Sequence, residues 1–292
     1  MNDLEFEEFQ NIWSDTTPVE PLQDTDGIFK IQYSEQYKYL MGIFRAAMNK
    51  MELSQRALQL TEKIARINPS NITVWWYRQE ILKAIGYSWE EEIDFLDELI
   101  CVHIKPYQLW NHRKFIDDRC ETVPDEKKRL IKLIACDNKN FHAYSFFIWF
   151  IERWGVYDYF LDYTKDLLHV DKFNNSALNF RFWIVQHKNL NTEEELKFIL
   201  ELMGRDYQNE SAANYIRGLI KLNPSLLPTV KEEFDKIVVD HHFKEIYSLL
   251  YFIADIQNDK ETQDKYCDLL IELDTYKAKY WTLVKNHAIK NI

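Results

Sequence analysis

The stretch "KPYQLWNHR" (105–113) decides the fold, because related stretches recur along the chain at a nearly constant spacing. Five copies, this one included, follow one another at steps of 34 or 35 residues, and a last copy is looser. The others are, in chain order, "SNITVWWYR" (70–78), "KNFHAYSFF" (139–147), "FNNSALNFR" (173–181), "QNESAANYI" (208–216) and "KAKYWTLV" (277–284). Self-similarity with a period of about 34 residues is typical of helical-hairpin repeat proteins.

The regular copies combine a helix-capping residue with an anchor four positions later. The capping positions are Asn71, Pro106, Asn140, Asn174 and Asn209. The anchor positions are Trp75, Trp110, Tyr144, Leu178, Ala213 and, in the looser copy, Trp281. An Asn side chain accepts hydrogen bonds from the free N–H groups of a helix start, and Pro is tolerated in the first turn. We expect the anchors to pack between stacked helices, since one Trp buries roughly 150–250 Å².

An arginine follows the anchor by three residues in three copies, as Arg78, Arg113 and Arg181. Residues three apart lie on the same face of a helix. We expect each arginine to form a structural ion pair with an acidic residue of the adjacent helix. Phe147 and Ile216 occupy this position in the other two regular copies, so these units lack the arginine.

The anchored helices alternate with other amphipathic stretches, such as 88–102 and 157–170. Each unit is therefore a helix, a turn and a helix, and it buries its apolar face by stacking on the next unit. The low content of Gly (6) and Pro (7) also favours helices. We predict an all-α fold, a curved right-handed superhelix (solenoid) of antiparallel helical hairpins. It forms a single domain over 33–292, preceded by an acidic, partly disordered N-terminal segment, 1–32.

Composition excludes several classes of function. The formal net charge of −11 repels nucleic acid and anionic membrane surfaces, and we expect neither as a general partner. We also expect no membrane span, because no run of about 18 apolar residues is present. The 4 cysteines form no CxxC pair and have no histidine at zinc-finger spacing, so we expect no metal site in this chain. Free thiols of this kind favour a cytoplasmic protein.

Lys105 is a candidate anion ligand. A lysine at a helix start is electrostatically unfavourable, because that end already carries partial positive charge. A phosphate would reverse this, since backbone N–H groups and an ammonium both favour an anion. A solvated lysine without a ligand is the alternative that the residues alone leave open. Lys139 occupies the same position one unit later, where we interpret it as a charge at the rim.

The unit Asn-x-x-x-Trp-x-x-Arg resembles the repeat of protein prenyltransferase α subunits. The resemblance runs from about Asp15 to Trp281. The stretches 13–27 and 33–78 look like the first segments of the α subunit shared by protein farnesyltransferase and type I geranylgeranyltransferase. The W…LG…Y…A pattern of tetratricopeptide repeats, which have the same period, is absent.

This resemblance implies an obligate complex with a β subunit. Such an enzyme transfers a farnesyl or geranylgeranyl group from an isoprenoid diphosphate to the cysteine of a C-terminal CaaX sequence. The resemblance places the catalytic Zn²⁺ in the β subunit, with Mg²⁺ as a further candidate cofactor, and leaves the choice of isoprenoid to β. Two alternatives stay open: the α subunit of the Rab (type II) geranylgeranyltransferase, and a non-catalytic scaffold of tetratricopeptide type.

The same resemblance assigns roles to residues at two helix starts. Lys105 matches the lysine that faces the isoprenoid diphosphate, and Tyr107 matches the tyrosine beside it; we expect both to be catalytic. Gln108 matches the glutamine that bonds the C-terminal carboxylate of the CaaX peptide. In the next unit, Asn140 and His142 match polar residues that line the same edge.

Two features of that next unit qualify the match. Phe141 stands where the family usually has a tyrosine, so a hydroxyl role there is lost. Tyr144, Phe146 and Phe147 replace the usual Trp, His and Arg. Lys139, which we group with the substrate-binding residues, is retained.

Overall fold

The computed structural model describes residues 3–21, 31–120, 127–204 and 206–287. Within these ranges the chain forms sixteen α-helices and two short 3₁₀ helices, and it has no β-strand. The predicted all-α class is therefore confirmed. No helix in the described ranges has the length and apolar character needed to cross a bilayer.

The chain divides into two compact units, Met1–Trp154 and Gly155–Ile292. The helices of the first unit are α1 (Asp3–Ile12), α2 (Glu35–Asn49), α3 (Gln55–Ile67), α4 (Ile72–Ile85), α5 (Trp89–Val102), α6 (Tyr107–Asp117), α7 (Lys127–Ala135) and α8 (Phe141–Trp154). Within this unit α3 packs against α4 and α5 against α6, and the second helices α4, α6 and α8 also pack in succession. This is the stacking of hairpins that the period predicts.

The second unit repeats the arrangement. Its helices are α9 (Tyr157–Val170), α10 (Asn175–Lys188), α11 (Thr192–Met203), α12 (Glu210–Leu222), α13 (Leu227–Ile237), α14 (Lys244–Ile256), α15 (Lys260–Leu273) and α16 (Ala278–Lys285). Each odd-numbered helix packs against the even-numbered helix that follows it. The single domain over 33–292 stays a prediction.

The second helices begin where the capping positions predict. The side-chain oxygen of Asn71 accepts hydrogen bonds from the backbone N–H groups of Thr73 and Val74. Asn174 and Asn209 cap α10 and α12 in the same way. Pro106 occupies the capping position of α6 without a side-chain bond.

All the anchor positions are buried, from the Trp of α4 to that of α16. One repeat was missed in the sequence. Tyr247, in α14, is buried and lies one period after Ala213 and one before Trp281. Phe243 takes the capping position there and Leu250 the arginine position, so neither polar marker of the repeat is present.

The ion pairs expected of the repeat arginines are present. Arg78 donates two hydrogen bonds to Glu92, at 2.7 and 2.6 Å, and both side chains are buried. Arg181 donates two to Glu195, at 2.5 and 2.9 Å. In both cases the acidic residue lies 14 positions after the arginine, on the next helix. Arg113 instead pairs with Asp97, a residue of the preceding helix.

The N-terminal segment is anchored to the first unit. Phe9 and Trp13 lie in the core formed by α2, α3 and α4. The guanidinium of Arg56 stacks over the Trp13 ring at 4.3 Å. A Cβ atom at Gly42 would lie 2.7 Å from the Cβ of Pro18, so glycine is required for this approach. The predicted disorder of 1–32 falls partly on 22–30, which lies outside the described residues.

Candidate functional site

The candidate site lies where two consecutive second helices begin. Lys105 stands two residues before α6, and Asn140 stands directly before α8. Because α6 packs against α8, the two helix starts are neighbours. The ring centroids of Tyr107 and His142 are 6.1 Å apart. The structure thus brings together residues that are about one period apart in the sequence.

Lys105 is paired with an acidic residue that the sequence analysis did not identify. Its side chain is 83% exposed, and its Nζ atom lies 3.2 Å from Oδ2 of Asp137. The other oxygen of Asp137 accepts the backbone N–H of Lys139 at 3.2 Å. An exposed pair of this kind is worth about 1 kcal/mol or less, so a multiply charged anion can compete for the ammonium.

Tyr107 belongs to a row of exposed side chains at helix starts. It is the first residue of α6 and is 44% exposed. Ile72 and Phe141, the first residues of α4 and α8, are also exposed. His142 is half-buried beside Phe141, with ring centroids 5.7 Å apart. The edge therefore presents apolar and aromatic surface around the Lys105 ammonium.

Gln108 links two hairpins. Its Nε2 atom donates a hydrogen bond of 2.8 Å to the carbonyl of Ser70, in the turn before α4. The residue is buried to 9% exposure. An amide nitrogen carries two protons, so the bond to Ser70 uses one of them. The second proton is chemically able to meet a carboxylate.

Both polar atoms of the Asn140 amide form hydrogen bonds within the chain. Its oxygen accepts the N–H groups of His142 and Ala143, which caps α8. Its Nδ2 atom donates to the carbonyl of Ile104 at 2.9 Å. Asn209 forms the same pair of interactions, with Nδ2 donating to the Lys172 carbonyl. The geometry makes Asn140 a positioning residue for the segment that carries Lys105, and its contact with substrate stays a prediction.

A buried polar network joins α4, α5 and α6. Oε1 of Glu92 accepts from Nε2 of His112 at 2.7 Å and from Nε of Arg78, and Oε2 of Glu92 accepts from Nη2 of Arg78. Gln79 Nε2 donates to His112 Nδ1 at 3.3 Å, which fixes the neutral tautomer with its proton on Nε2. In the second unit the hydroxyl of Tyr215 replaces the imidazole and donates to Glu195 at 2.7 Å.

Burial, hydrogen bonds and neighbouring charges shift the pKa values of His112 and Glu92. It lowers the pKa of His112, against the raising effect of the Glu92 hydrogen bond and charge. For Glu92, burial alone would raise the pKa, but the His112 hydrogen bond and the Arg78 charge together lower it to about 2. The network is therefore an ionised Glu–Arg pair with a neutral histidine. Sequence reasoning missed Glu92 and His112; the 14-residue offset shared by Arg78–Glu92 and Arg181–Glu195 is a signal for Glu92 alone.

Among the described residues, no three His, Cys, Asp or Glu side chains are grouped so as to hold a metal ion. The site on this chain consists of an ammonium, an amide, a phenol and an imidazole, arranged along an apolar edge. These groups can bind an anion and a carboxylate.

The repeat also has relatives among known proteins. Residues 54–85 and 89–120 match the family model described as protein prenyltransferase alpha subunit repeat. The chain is 32% identical over 302 residues to the protein farnesyltransferase/geranylgeranyltransferase type-1 subunit alpha of Dictyostelium discoideum, which covers 94% of this chain and 91% of that protein. A solved structure, Candida albicans protein geranylgeranyltransferase-I complexed with GGPP, superposes with a TM-score of 0.84 and 26% identity, over 94% of this chain and 97% of that one. The similarity to the geranylgeranyl transferase type-2 subunit alpha of Saccharomyces cerevisiae is lower, at 24% identity over 64% of this chain and 65% of that protein.

Proposed function

Because the chain belongs to the protein prenyltransferase α-subunit family, we propose that it is the α subunit of a heterodimeric CaaX prenyltransferase. The enzyme transfers a farnesyl or geranylgeranyl group from its diphosphate to the thiol of a C-terminal CaaX cysteine. The observation that carries the proposal is the similarity to a type-1 subunit along nearly the whole chain. The type-2 similarity covers about two thirds of it, which favours the CaaX enzyme over the Rab enzyme.

Lys105 is the proposed ligand of the diphosphate. Negative charge builds up on the leaving oxygen as its bond to the isoprenoid carbon breaks. An ammonium that meets this charge stabilises the transition state more than the ground state, and only that difference accelerates the reaction. The structure supports this role in two ways: the ammonium is exposed, and its pair with Asp137 is weak enough to be exchanged.

Tyr107 is the proposed second donor. Its side chain lies on the first turn of α6, close behind Lys105 in the chain and partly exposed at the same edge. A phenol can donate a hydrogen bond to a phosphate oxygen without adding charge. The free N–H groups of the α6 start favour an anion at the same place.

Gln108 is the proposed contact of the CaaX peptide. The bond to Ser70 holds the amide in one orientation and leaves its second N–H for the terminal carboxylate. Lys139 and His142 extend this polar edge along the start of α8, and Asn140 keeps the Ile104 backbone in place. In this proposal Lys139 contributes charge at the rim.

The β subunit completes the enzyme. The exposed side chains of Ile72, Tyr107 and Phe141 provide apolar surface of the kind that a permanent partner covers. The catalytic Zn²⁺ would be held by β, where it would lower the pKa of the substrate thiol, and Mg²⁺ is a further candidate at the diphosphate. The complex works in the cytoplasm.

Coexpression with candidate β subunits tests the proposal. The expected result is a stable heterodimer that prenylates CaaX peptides and does not require a Rab substrate. Activity only on Rab substrates would identify the type-2 enzyme instead. If no β subunit copurifies and no prenyl transfer occurs with any of them, the scaffold alternative replaces the proposal.

A further inference from the structure

Two cysteines lie side by side next to the candidate site. Cys101 is in the last turn of α5, and Cys136 is the first residue after α7. They stand 35 residues apart, at equivalent positions of consecutive hairpins. Their sulfur atoms are 3.4 Å apart, within hydrogen-bond distance. Both residues are exposed.

This separation is that of a hydrogen-bond contact between two thiols. A disulfide has a sulfur–sulfur distance of about 2.05 Å, so the two atoms need to approach by about 1.4 Å. Both cysteines lie at helix ends, where a backbone shift of this size disrupts few hydrogen bonds. Cys267, by contrast, is buried inside the second unit.

We propose that Cys101 and Cys136 are a modification site, at which a low-molecular-weight disulfide oxidises the pair to a reversible intramolecular disulfide. The Cys136 thiolate attacks one sulfur of the oxidant, forms a mixed disulfide and releases the first thiolate, which takes up a proton. Cys101 then loses its proton to solvent and attacks the Cys136 sulfur. This closes the protein disulfide and releases the second thiolate. Two electrons pass from the two cysteines to the oxidant, which leaves as two thiols.

The environment of Cys101 sets this order of attack. Partial desolvation of the thiol, together with the hydrogen bond and charge of the Cys136 sulfur, raises the pKa of Cys101 to about 11. Because only a thiolate is an effective nucleophile, this raised pKa disfavours Cys101 as the first attacking group. Once Cys136 is part of a mixed disulfide, its own contribution to that raised pKa is gone.

The bridge would act on the proposed diphosphate ligand, a consequence that rests on the proposed function. Asp137 directly follows Cys136, and it pairs with Lys105, which stands four residues after Cys101. The disulfide therefore joins the two segments that carry this ion pair. Since a displacement of about 1 Å can cost a hundredfold in rate, we expect the oxidised form to transfer prenyl groups more slowly.

The first experiment measures the bridge itself. The reduced full-length chain is incubated with oxidised glutathione, digested without reductant and analysed by mass spectrometry. The expected product is a peptide pair linked through Cys101 and Cys136, with the loss of two free thiols per chain and recovery by dithiothreitol. Cys136→Ser is the matched control and should form no internal bridge. A wild-type chain that loses no more thiols than Cys136→Ser, or that links other cysteines, would overturn the proposal.

The second experiment measures its effect in the heterodimer. Oxidation should lower prenyl transfer in the wild-type complex more than in the Cys136→Ser complex, and reductant should restore it. The thiols of the β subunit are common to both complexes, so the difference reports the bridge. A bridged wild-type complex with the rate of the oxidised variant would overturn the link to Lys105. A complex without transfer activity before oxidation would contradict the proposed function and leave the mass-spectrometric result standing.

Discussion

The Nζ atom of Lys105 lies 3.2 Å from Oδ2 of Asp137, between the turns of two consecutive hairpins. The proposed diphosphate ligand therefore has a carboxylate partner in this chain. Substrate binding requires that the ammonium leave this carboxylate or share it. Both members of the pair can be tested in the heterodimer.

Replacement of Lys105 tests the chemical step. We expect Lys105→Ala to leave the heterodimer assembled and the isoprenoid diphosphate bound within a few-fold. The single-turnover rate should fall roughly ten- to a thousand-fold, because one electrostatic donor to the transition state is lost. Lys139→Ala is the matched control and should reduce the rate clearly less. An unchanged chemical step in Lys105→Ala would remove the catalytic assignment.

Replacement of Asp137 tests the competition for the ammonium. Asp137→Asn retains an oxygen for the Lys139 N–H but removes the negative charge. We expect the isoprenoid diphosphate to bind up to about fivefold more tightly, since the exposed pair is worth about 1 kcal/mol or less. Equilibrium titration at low and high salt measures this. Weaker binding in Asp137→Asn would mean that the carboxylate positions Lys105 instead of competing for it.

Replacement of Gln108 separates peptide binding from isoprenoid binding. Gln108→Ala should reduce kcat/KM for the CaaX peptide, since a hydrogen bond to a charged group is worth roughly 1.5–3 kcal/mol. The affinity for the isoprenoid diphosphate should change little. Thermal unfolding of the variant accounts for the lost bond to Ser70. A folded variant with wild-type kcat/KM would show that Gln108 serves only the fold.

The Arg78–Glu92 pair should dominate the stability of its hairpin. We expect Arg78→Ala to lower the free energy of unfolding by about 3–5 kcal/mol, because Glu92 is left as a buried charge with only the neutral His112 as its partner. Arg66→Ala is the control, since Arg66 pairs with Glu98 at the surface and should cost about 1 kcal/mol or less. Chemical denaturation measures both variants. Equal losses of unfolding free energy in the two variants would contradict the conclusion that burial makes the Arg78–Glu92 pair the more important one.

His112 should make the chain sensitive to mild acid. Its pKa is lowered in the folded state from the ordinary 6.5, so the unfolded chain binds the proton more readily. This contribution to stability is present above pH 6.5 and is lost as the pH falls toward the lowered value. Glu92 adds a second loss further down, as the pH falls from 4.5 toward about 2.

Tyr215 suggests a variant that tests whether His112 causes the acid sensitivity. It donates to Glu195 as His112 donates to Glu92, with the same separation of 20 residues in the chain. We expect His112→Tyr to keep the hydrogen bond and to reduce the loss of stability just below pH 6.5. The measurement is the urea midpoint at neutral pH and about one pH unit below 6.5. If the wild type and His112→Tyr lose the same stability at the lower pH, a group other than His112 causes the acid sensitivity.

The sequence predicts where the helices begin better than it predicts which side chains bond across neighbouring hairpins. The period places the starts of α4, α6, α8, α10 and α12, because caps and anchors are local features. It misses the repeat of α14, where Tyr247 serves as the anchor without a capping Asn or an arginine. The anchor position accepts apolar side chains of different size, from Trp to Ala, so its identity alone does not reveal the repeat.

Side-chain contacts between neighbouring hairpins are harder to predict, because they depend on how one hairpin packs against the next. Asp137 as the partner of Lys105 has no local signal, since the two are 32 residues apart. Nor does the sequence predict that the Asn140 amide bonds to Ile104 and to the start of α8, and its contact with substrate stays a prediction. The roles of Lys105, Tyr107 and Gln108 were assigned from the resemblance to a family, and these roles stay predictions.

The bond from Gln108 to Ser70 has a consequence for mutational tolerance. At Asn140 and Asn209 the capping residue itself reaches the neighbouring hairpin, but Pro106 has no amide with which to do so. In this hairpin Gln108 makes the connection instead. If it also binds the peptide, adaptation to new substrates and maintenance of the stack constrain the same side chain. Exchanges at position 108 that broaden substrate choice should therefore require compensating changes near Ser70.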